Sequence, residues 1–335
     1  MALSTLPLDS GVQVAVDWLE LKVLASEYAI VSLASMSRIW DTRRNTEDTD
    51  PAGEESEEDV FYQSVVNELN LRMTQLGRAY PFQFSASGAS LELKPKPNEG
   101  MYAYVFCLLI SHTKKGQVLS GQYIPKLTNV VRDYFQICAT LAAAGEVKGH
   151  AYSFGFPRPD STGFLTKLRA IYAAFGEATV VAEAPKGASR SPKDEQIDLI
   201  SWKTRKDGGA GKRYVLGQVA SGADWVNKTI RGGAIDRFHH TWFMPPGIAS
   251  QASCAMFIPY SIVPNPNESV ADKLLVLTHE FGAIYYRNMI PLLVQKGVEF
   301  ANRCDASIVI ERLAEFEDVR GWVDKQLLKF RKLAA

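Results

Sequence analysis

Two short apolar segments, each interrupted by one polar residue, constrain the fold of this chain more than any other feature. They are residues 196–202 (QIDLISW) and 214–221 (YVLGQVAS), and the polar residues inside them are Asp198 and Gln218. Both segments are rich in Ile, Leu, Val, Tyr and Trp, and the turn-forming sequence DGGAG at 207–211 lies between them. This pattern predicts a β-hairpin that holds Asp198 and Gln218 at one end of a sheet.

The length and composition limit the kinds of domain that can contain this hairpin. A chain of 335 residues with 46% apolar side chains predicts one large or two ordinary domains with a sizeable core. Apolar segments such as 104–110 are far shorter than the about 20 residues of a membrane-spanning helix. The N-terminal sequence does not resemble a secretion signal, so we expect a cytoplasmic protein without a membrane partner. Four widely spaced cysteines predict reduced thiols, with neither a zinc site nor a disulfide framework.

The net charge of the chain does not indicate a polyanionic partner. Lys plus Arg equals Asp plus Glu, at 37 residues each. The charge is locally biased, because residues 186–213 carry eight Lys or Arg against four Asp or Glu. A basic segment beside the hairpin is compatible with DNA binding. The neutral total predicts that a partner subunit or a homodimer completes any DNA-binding surface.

The order of predicted elements divides the chain into three parts. Residues 1–150 predict a mainly helical region with a small β element and an acidic mobile loop at 41–60. Residues 263–335 predict a helical region packed on the middle part. In that middle part, 151–262, the predicted elements are a helix at 164–175, a strand at 179–182, the two hairpin strands, a helix from Ala223 and a strand at 254–260. The fold class expected is α/β (α+β), with a mixed sheet flanked by helices.

The hairpin carries residue types that phosphodiester hydrolysis uses. That reaction needs a metal ion at the scissile phosphate, and Mg²⁺ prefers oxygen ligands. Asp198 on one strand and the Gln218 oxygen on the next are such groups. Because side chains two residues apart share a strand face, positions 218 and 220 are expected to face the same place as Asp198.

The middle part of the chain resembles the PD-(D/E)xK, or restriction-endonuclease-like, nuclease superfamily. The resemblance is carried by the order of elements across 150–260 and by the hairpin, IDLISW at 197–202 followed by LGQVASG at 216–222. It is similar to the Mrr-like branch, in which Gln commonly replaces the second acidic residue. The resemblance implies an Mg²⁺- or Mn²⁺-dependent DNA endonuclease, and a role in bacterial restriction or anti-phage defence.

The same resemblance assigns roles to the hairpin residues. Asp198 is the implied main metal ligand, Gln218 a neutral oxygen ligand, and the carbonyl of Val219 a third. One carboxylate binds Mg²⁺ weakly, so a further acid is expected. Glu183 is the acid we predict, and the sequence leaves Glu177, Asp194 and Glu195 open as alternatives.

Position 220 departs from the family pattern. The family carries Lys two residues after the second half-motif, and this chain has Ala220. Without that ammonium, charge developing on the phosphate lacks a stabilising group, so we expect the chain to be inactive as written. Either catalysis was lost naturally, or Lys was changed to Ala in the laboratory, and we favour the second account. The alternative function is a non-catalytic nuclease-fold subunit that binds nucleic acid or a partner protein; a further reading is that both polar residues are structural.

Several residues near the hairpin are candidates for contacts to DNA phosphates, a role that carries no sequence information. They are Lys203, Arg205, Lys212, Arg213, Ser221 and Lys228. Neither a GxxxxGK[ST] motif nor a GxGxxG motif after a strand is present, so no nucleotide cofactor is expected. If ATP-driven translocation is involved, a partner supplies it.

Overall fold

The computed structural model describes residues 3, 6, 10–36, 51–113, 118–189, 192–265 and 267–331, of which 51–57 are described for the backbone alone. The chain forms two compact units: residues 1–131 with 317–335, and residues 132–316. This division differs from the predicted boundaries at 150 and 262, because residues 132–150 belong to the second unit and the predicted C-terminal region 263–335 is divided between the two units at 316. No helix in the described ranges is long and apolar enough to cross a membrane.

The first unit combines helices with a small antiparallel sheet. Its helices are α1 (Val12–Ala25), α2 (Pro51–Leu76), α3 (Glu99–Ser111) and α9 (Phe316–Arg331). Its strands, β1 (Ile30–Ser32), β2 (Phe82–Phe84) and β3 (Ser90–Leu93), are arranged in the order β1-β3-β2. The β element expected between residues 80 and 93 is therefore confirmed.

The predicted acidic loop at 41–60 is wrong over its second half. Residues 41–50 lie outside the described residues, but α2 begins at Pro51 and includes the rest of the acidic segment. The sequence offers a physical reason for this helix start. Proline is favoured at a first helical position, and acidic residues near a helix N-terminus interact favourably with the helix dipole.

A buried ion cluster links three helices of the first unit. The Arg72 side chain on α2 is fully buried, and its Nη1 lies 2.7 Å from Asp17 Oδ1 and 3.0 Å from Glu20 Oε1 on α1. Its Nε lies 2.8 Å from Glu68. The remaining members contact the two α1 carboxylates: Tyr80, Tyr104 and His112. Arg72 is thus the guanidinium that compensates several buried carboxylates.

The second unit is built on a mixed five-stranded sheet with the order β4-β5-β6-β7-β8. Its strands are β4 (His150–Ser153), β5 (Leu199–Lys203), β6 (Arg213–Val219), β7 (Ala252–Phe257) and β8 (Ala283–Tyr285). Its helices are α4 (Asn129–Val147), α5 (Phe164–Phe175), α6 (Gly233–Trp242), α7 (Val270–Phe281) and α8 (Ile290–Ala301). Strands β4 to β6 are antiparallel, whereas β7 and β8 run parallel to β6 after helical crossovers.

The predicted hairpin is confirmed, but two neighbouring predictions are wrong. Residues 179–182 are not a strand of the sheet, and only Val180 forms an isolated bridge, to Phe243. Strand β4, which precedes α5, occupies the sheet position next to β5 instead. The helix expected from Ala223 is a short 3-10 turn at Trp225–Asn227, and α6 begins only at Gly233, after Gly232 in a conformation of positive φ (77°) that breaks the helix.

One face of the sheet carries two apolar clusters. The first cluster joins Ile200, Trp202 and Leu216 of the hairpin to α5 and α6. The second cluster joins Ala220, Met256 and Ile284 to α7. Strand alternation places Gln218 on this same face, between Leu216 and Ala220. The polar residues of the hairpin therefore lie where one apolar cluster ends and the next begins.

Candidate metal and phosphate site

Three elements hold the backbone of Asp198 in place. Its N–H donates to the carbonyl of Gly217 on β6 (2.9 Å), and its own carbonyl accepts from the N–H groups of Phe154 (2.8 Å) and Gly155 (3.0 Å). The same carbonyl accepts a hydrogen bond of 2.6 Å from Nε2 of Gln136 on α4. Asp198 is therefore fixed between β6, the end of β4 and α4.

The Asp198 carboxyl group is largely surrounded by protein, although part of the residue reaches solvent. Its Oδ2 accepts the N–H of Val219 at 2.8 Å. A Cβ at Gly155 would lie 2.8 Å from Oδ1, so the glycine leaves room for the carboxylate in its present position. Burial, and then the nearby charge of Asp194, raise the pKa of Asp198 to about 7, against the lowering effects of the Val219 N–H and Lys228. A carboxyl group with this pKa lacks an adequate counter-charge.

The raised pKa predicts how stability depends on pH. The folded chain retains a proton on Asp198 between about pH 4 and pH 7 that the unfolded chain has released. The stabilisation is complete below about pH 4 and is lost as the pH rises through about 7. Urea unfolding with a chelator should show D198N gaining stability relative to the unmodified chain over this range, by up to about 1.4 kcal/mol per pH unit. Parallel stability curves for the two proteins would contradict the assignment.

The second unsatisfied polar group is the amide oxygen of Gln218. Gln218 is partly buried, and among the described residues its Oε1 has no hydrogen-bond partner. A buried acceptor without a donor costs about 1–3 kcal/mol. The register ends with Leu199 opposite Gly217, and the Asp198 N–H also bonds to the Gly217 carbonyl, so Asp198 and Gln218 both lie at this end of the β5–β6 ladder.

These two oxygen groups fit a hard divalent cation. Such an ion takes carboxylate and amide oxygens as ligands, and it would neutralise Asp198 and satisfy Gln218 Oε1. Within the described ranges, no group of three or more His, Cys, Asp or Glu side chains could hold a metal ion. Mg²⁺ is commonly held by one or two carboxylates, with water and substrate phosphates as its other ligands, so a sparse protein site matches this ion.

Ala220 lies beyond Gln218 on the same face and is only 1% exposed. Its N–H donates to the carbonyl of Phe257 at 2.9 Å, and its side chain belongs to the second apolar cluster, with Met256 and Phe281. A lysine here would have to run its methylene stem along these apolar side chains.

The four acids considered as a further ligand lie in different places. Glu183 is exposed in the segment after α5, and no described contact ties it to Asp198. Glu177 forms a buried ion pair with Lys212 (3.0 Å), which precedes β6 at the opposite end of the hairpin. Glu195 lies 3.6 Å from Arg237. Asp194 acts electrostatically on Asp198, and its carboxylate accepts the N–H groups of Phe156 and Gln196.

Most of the predicted phosphate-binding residues lie at the far end of the hairpin. Lys203 and Arg205 line a cavity of about 410 Å³ together with Arg213. Five strand residues separate this end from Asp198, a distance of about 16 Å. Arg205 and Arg213 have the ion-pair partners Asp207 and Glu146. Lys212 is buried with Glu177, so its ammonium is already engaged.

Two of the predicted residues follow the end of β6. Ser221 is buried, and its carbonyl accepts the Tyr260 hydroxyl at 2.6 Å. Lys228 lies 3.7 Å from Asp224 and acts electrostatically on Asp198. Arg132 on α4 also reaches this turn, because a Cβ at Gly222 would lie 3.7 Å from its Nη1.

No family model matches this chain, and no curated protein or solved structure matches it either. The chemistry assigned to the site therefore rests on the positions of its own residues and on the resemblance carried by the hairpin.

Sequence reasoning missed three residues that shape the site. Gln136 and Arg132 reach it from α4, one helical turn apart, and Gly155 makes room for the carboxylate. The four-residue spacing of Arg132 and Gln136 can be read from the sequence, since positions i and i+4 share one face of a helix. The sheet end that this face meets comes from residues more than 60 positions away along the chain.

Proposed function

We propose that this chain is a metal-dependent endodeoxyribonuclease whose activity is impaired by Ala220. The observation that carries the proposal is the pairing of a buried carboxyl group of raised pKa, Asp198, with an unsatisfied buried amide oxygen, Gln218 Oε1. Both lie at the ends of adjacent strands, and the Lys228 ammonium acts electrostatically on Asp198. A role in restriction or anti-phage defence, and a cytoplasmic location, belong to the same proposal and rest on the sequence alone.

The order of elements supports this reading. In chain order the elements are α4, β4, α5, β5, β6, α6 and β7, so the order helix, strand, strand, strand, helix, strand is present with α5 as an extra helix between the first two strands. This is the order that the resemblance to PD-(D/E)xK nucleases requires. In this reading α4 takes the place expected for 164–175, and β4 the place expected for 179–182.

Each residue has a defined task in the proposed reaction. Mg²⁺ or Mn²⁺ would be held by Asp198, Gln218 and the carbonyl of Val219. Asp194 is the further acid whose charge acts on Asp198. When bound, the ion supplies positive charge at the scissile phosphate and makes water more acidic. The N–H of Val219 orients the Asp198 carboxylate. A lysine at position 220 would place an ammonium where charge develops on the phosphate.

The proposal predicts that Ala220→Lys creates Mg²⁺-dependent cleavage of DNA. The purified variant, incubated with plasmid and linear DNA, should produce nicks or breaks with Mg²⁺ and none with a chelator. We expect a rate at least about a hundredfold above that of the unmodified chain, since one well-placed charge stabilises such a transition state by about 3 kcal/mol.

Ala220→Met is the matched control for this experiment. Methionine has nearly the length of lysine and suits the same apolar cluster, but it carries no charge. We expect it to fold equally well and to cleave no faster than the unmodified chain. Equal background rates for the lysine and methionine variants, with both proteins folded, would refute the enzyme proposal.

One observation favours the alternative, a non-catalytic nuclease-fold subunit. Ala220 is fully buried in an apolar cluster, a setting in which alanine is a natural resident. This alternative predicts that the Ala220→Lys protein binds DNA or a partner subunit and still does not cleave. The cleavage assay therefore discriminates the two functions.

A further inference from the structure

An exposed aromatic ring lies beside the candidate site. Among the aromatic side chains of the described residues, Phe156 (54%) and Tyr28 (81%) are the two that are exposed. Tyr28 belongs to the first unit, whereas Phe156 follows directly after the residues that hold Asp198. A single exposed apolar residue needs no explanation by itself, so its surroundings decide whether it has a task.

The backbone around Phe156 is tied to the site. The N–H groups of Phe154 and Gly155 donate to the Asp198 carbonyl. The N–H of Phe156 donates to Asp194 Oδ2 at 3.2 Å. Phe156 directly follows Gly155, whose N–H bonds to Asp198, so the ring lies within the reach of one or two nucleotides from this residue.

Cations flank the ring. Lys193 Nζ lies 5.6 Å from the centroid of the Phe156 ring, and the Arg158 guanidinium lies 6.0 Å from it. Arg158 is buried, and its Nη1 donates both to the Phe154 carbonyl (3.1 Å) and to the Lys193 carbonyl (2.7 Å). Arg158 therefore joins the two segments that carry the ring and the lysine, so their arrangement is preorganised. Lys193 itself is exposed to solvent.

We propose that Phe156 is a stacking surface for an unpaired nucleobase of the substrate strand, with Lys193 contacting the neighbouring phosphate. This inference rests on the proposed nuclease function and narrows its substrate to DNA with an accessible base, such as a single strand or a frayed end. Aromatic side chains between cations bind single strands in this way, because every base offers a π-face. The sequence neighbours of the ring, Gly155 and Pro157, add no large apolar side chain beside it.

Binding without metal tests the inference independently of cleavage. Fluorescence anisotropy with a labelled single-stranded oligonucleotide, in chelator, should show that Phe156→Ala weakens binding about tenfold, whereas Phe156→Trp retains it. Duplex of the same sequence should lose less than about threefold, because its bases are already stacked. Lys193→Gln should lower the salt dependence of binding by about one phosphate contact. Tyr28→Ala, at an exposed aromatic residue of the first unit, should change neither affinity.

The outcomes separate this inference from the proposed function. If the unmodified chain binds DNA and Ala220→Lys cleaves it, but Phe156→Ala binds single strands as tightly as before, only the stacking proposal is lost. Full retention of binding by Phe156→Leu would also overturn it, since leucine supplies apolar area without a π-face. If no DNA of either form binds and Ala220→Lys does not cleave, the nuclease function itself falls.

Discussion

In the Ala220→Lys background, Asp198→Asn should lower Mg²⁺-dependent DNA cleavage at least about a hundredfold, since even residues that only support a metal ligand contribute about 10–100-fold. Asparagine keeps the shape of the side chain and an oxygen that can accept the Val219 N–H. It removes only the negative charge. The measurement is the initial rate of plasmid nicking at saturating Mg²⁺, with folding checked by circular dichroism.

Asp207→Asn provides the matched control for that prediction. Asp207 is also an aspartate of the hairpin, but it pairs with Arg205 at the opposite end. The loss of one exposed ion pair changes stability by about 1 kcal/mol at most. We expect cleavage within about twofold of the parent, since the substitution removes the same charge at a place remote from the site. Equal losses in the two variants would show that general charge, and not the position of Asp198, determines the rate.

The second large effect concerns stability. Arg72→Met should destabilise the first unit by about 3–5 kcal/mol, since removal of one partner from a buried ion cluster leaves uncompensated charge. Methionine fills much of the volume but removes from Asp17 and Glu20 the guanidinium that now lies 2.7 and 3.0 Å away. Urea unfolding at neutral pH measures the change.

Arg320→Met serves as the control, because it makes the same substitution in the first unit at an exposed pair with Glu317. We expect a change of less than about 1 kcal/mol there. A triple variant that also carries Asp17→Asn and Glu20→Gln should recover part of the stability lost at Arg72. If Arg72→Met and Arg320→Met lower stability equally, the buried cluster does not act as a charge-compensated unit.

Local sequence patterns were sufficient for the hairpin and for most helices. The segments 196–202 and 214–221 carry β-forming residues on both sides of a glycine-rich turn, and β5 and β6 form there. Helix α5 covers 164–175 as predicted and ends at Gly176, whose left-handed conformation (φ 73°) caps it. These elements are decided by neighbours in sequence, which is why the pattern predicts them.

The remaining sheet depends on contacts that are distant in sequence. Strand β4 has only four residues, and its partner β5 begins 46 positions later, at Leu199. Strand β8 is a three-residue edge beside β7. Conversely, the β-forming segment 179–182 finds only one bridge, because the place next to β5 is taken. Short strands acquire their identity from pairing and not from propensity.

The candidate site also combines features decided by local sequence with features decided by distant contacts. That Asp198 and Gln218 lie at the same end of the sheet follows from the hairpin itself. The contribution of α4, through Gln136, and of the β4 end, through Gly155 and Phe156, depends on how these elements pack around the hairpin. Position 220 was singled out by resemblance, and the structure adds that its side chain faces an apolar cluster.

The most direct test of the central claim is a Mn²⁺ titration of the unmodified chain and of its Asp198→Asn variant, without DNA. At about pH 8 the Asp198 carboxyl, with a pKa of about 7, is ionised and ready to bind. The account predicts one Mn²⁺ site in the unmodified chain, weakened at least about tenfold by Asp198→Asn and unchanged by Asp207→Asn. Equal Mn²⁺ affinity in the unmodified and Asp198→Asn proteins would contradict it.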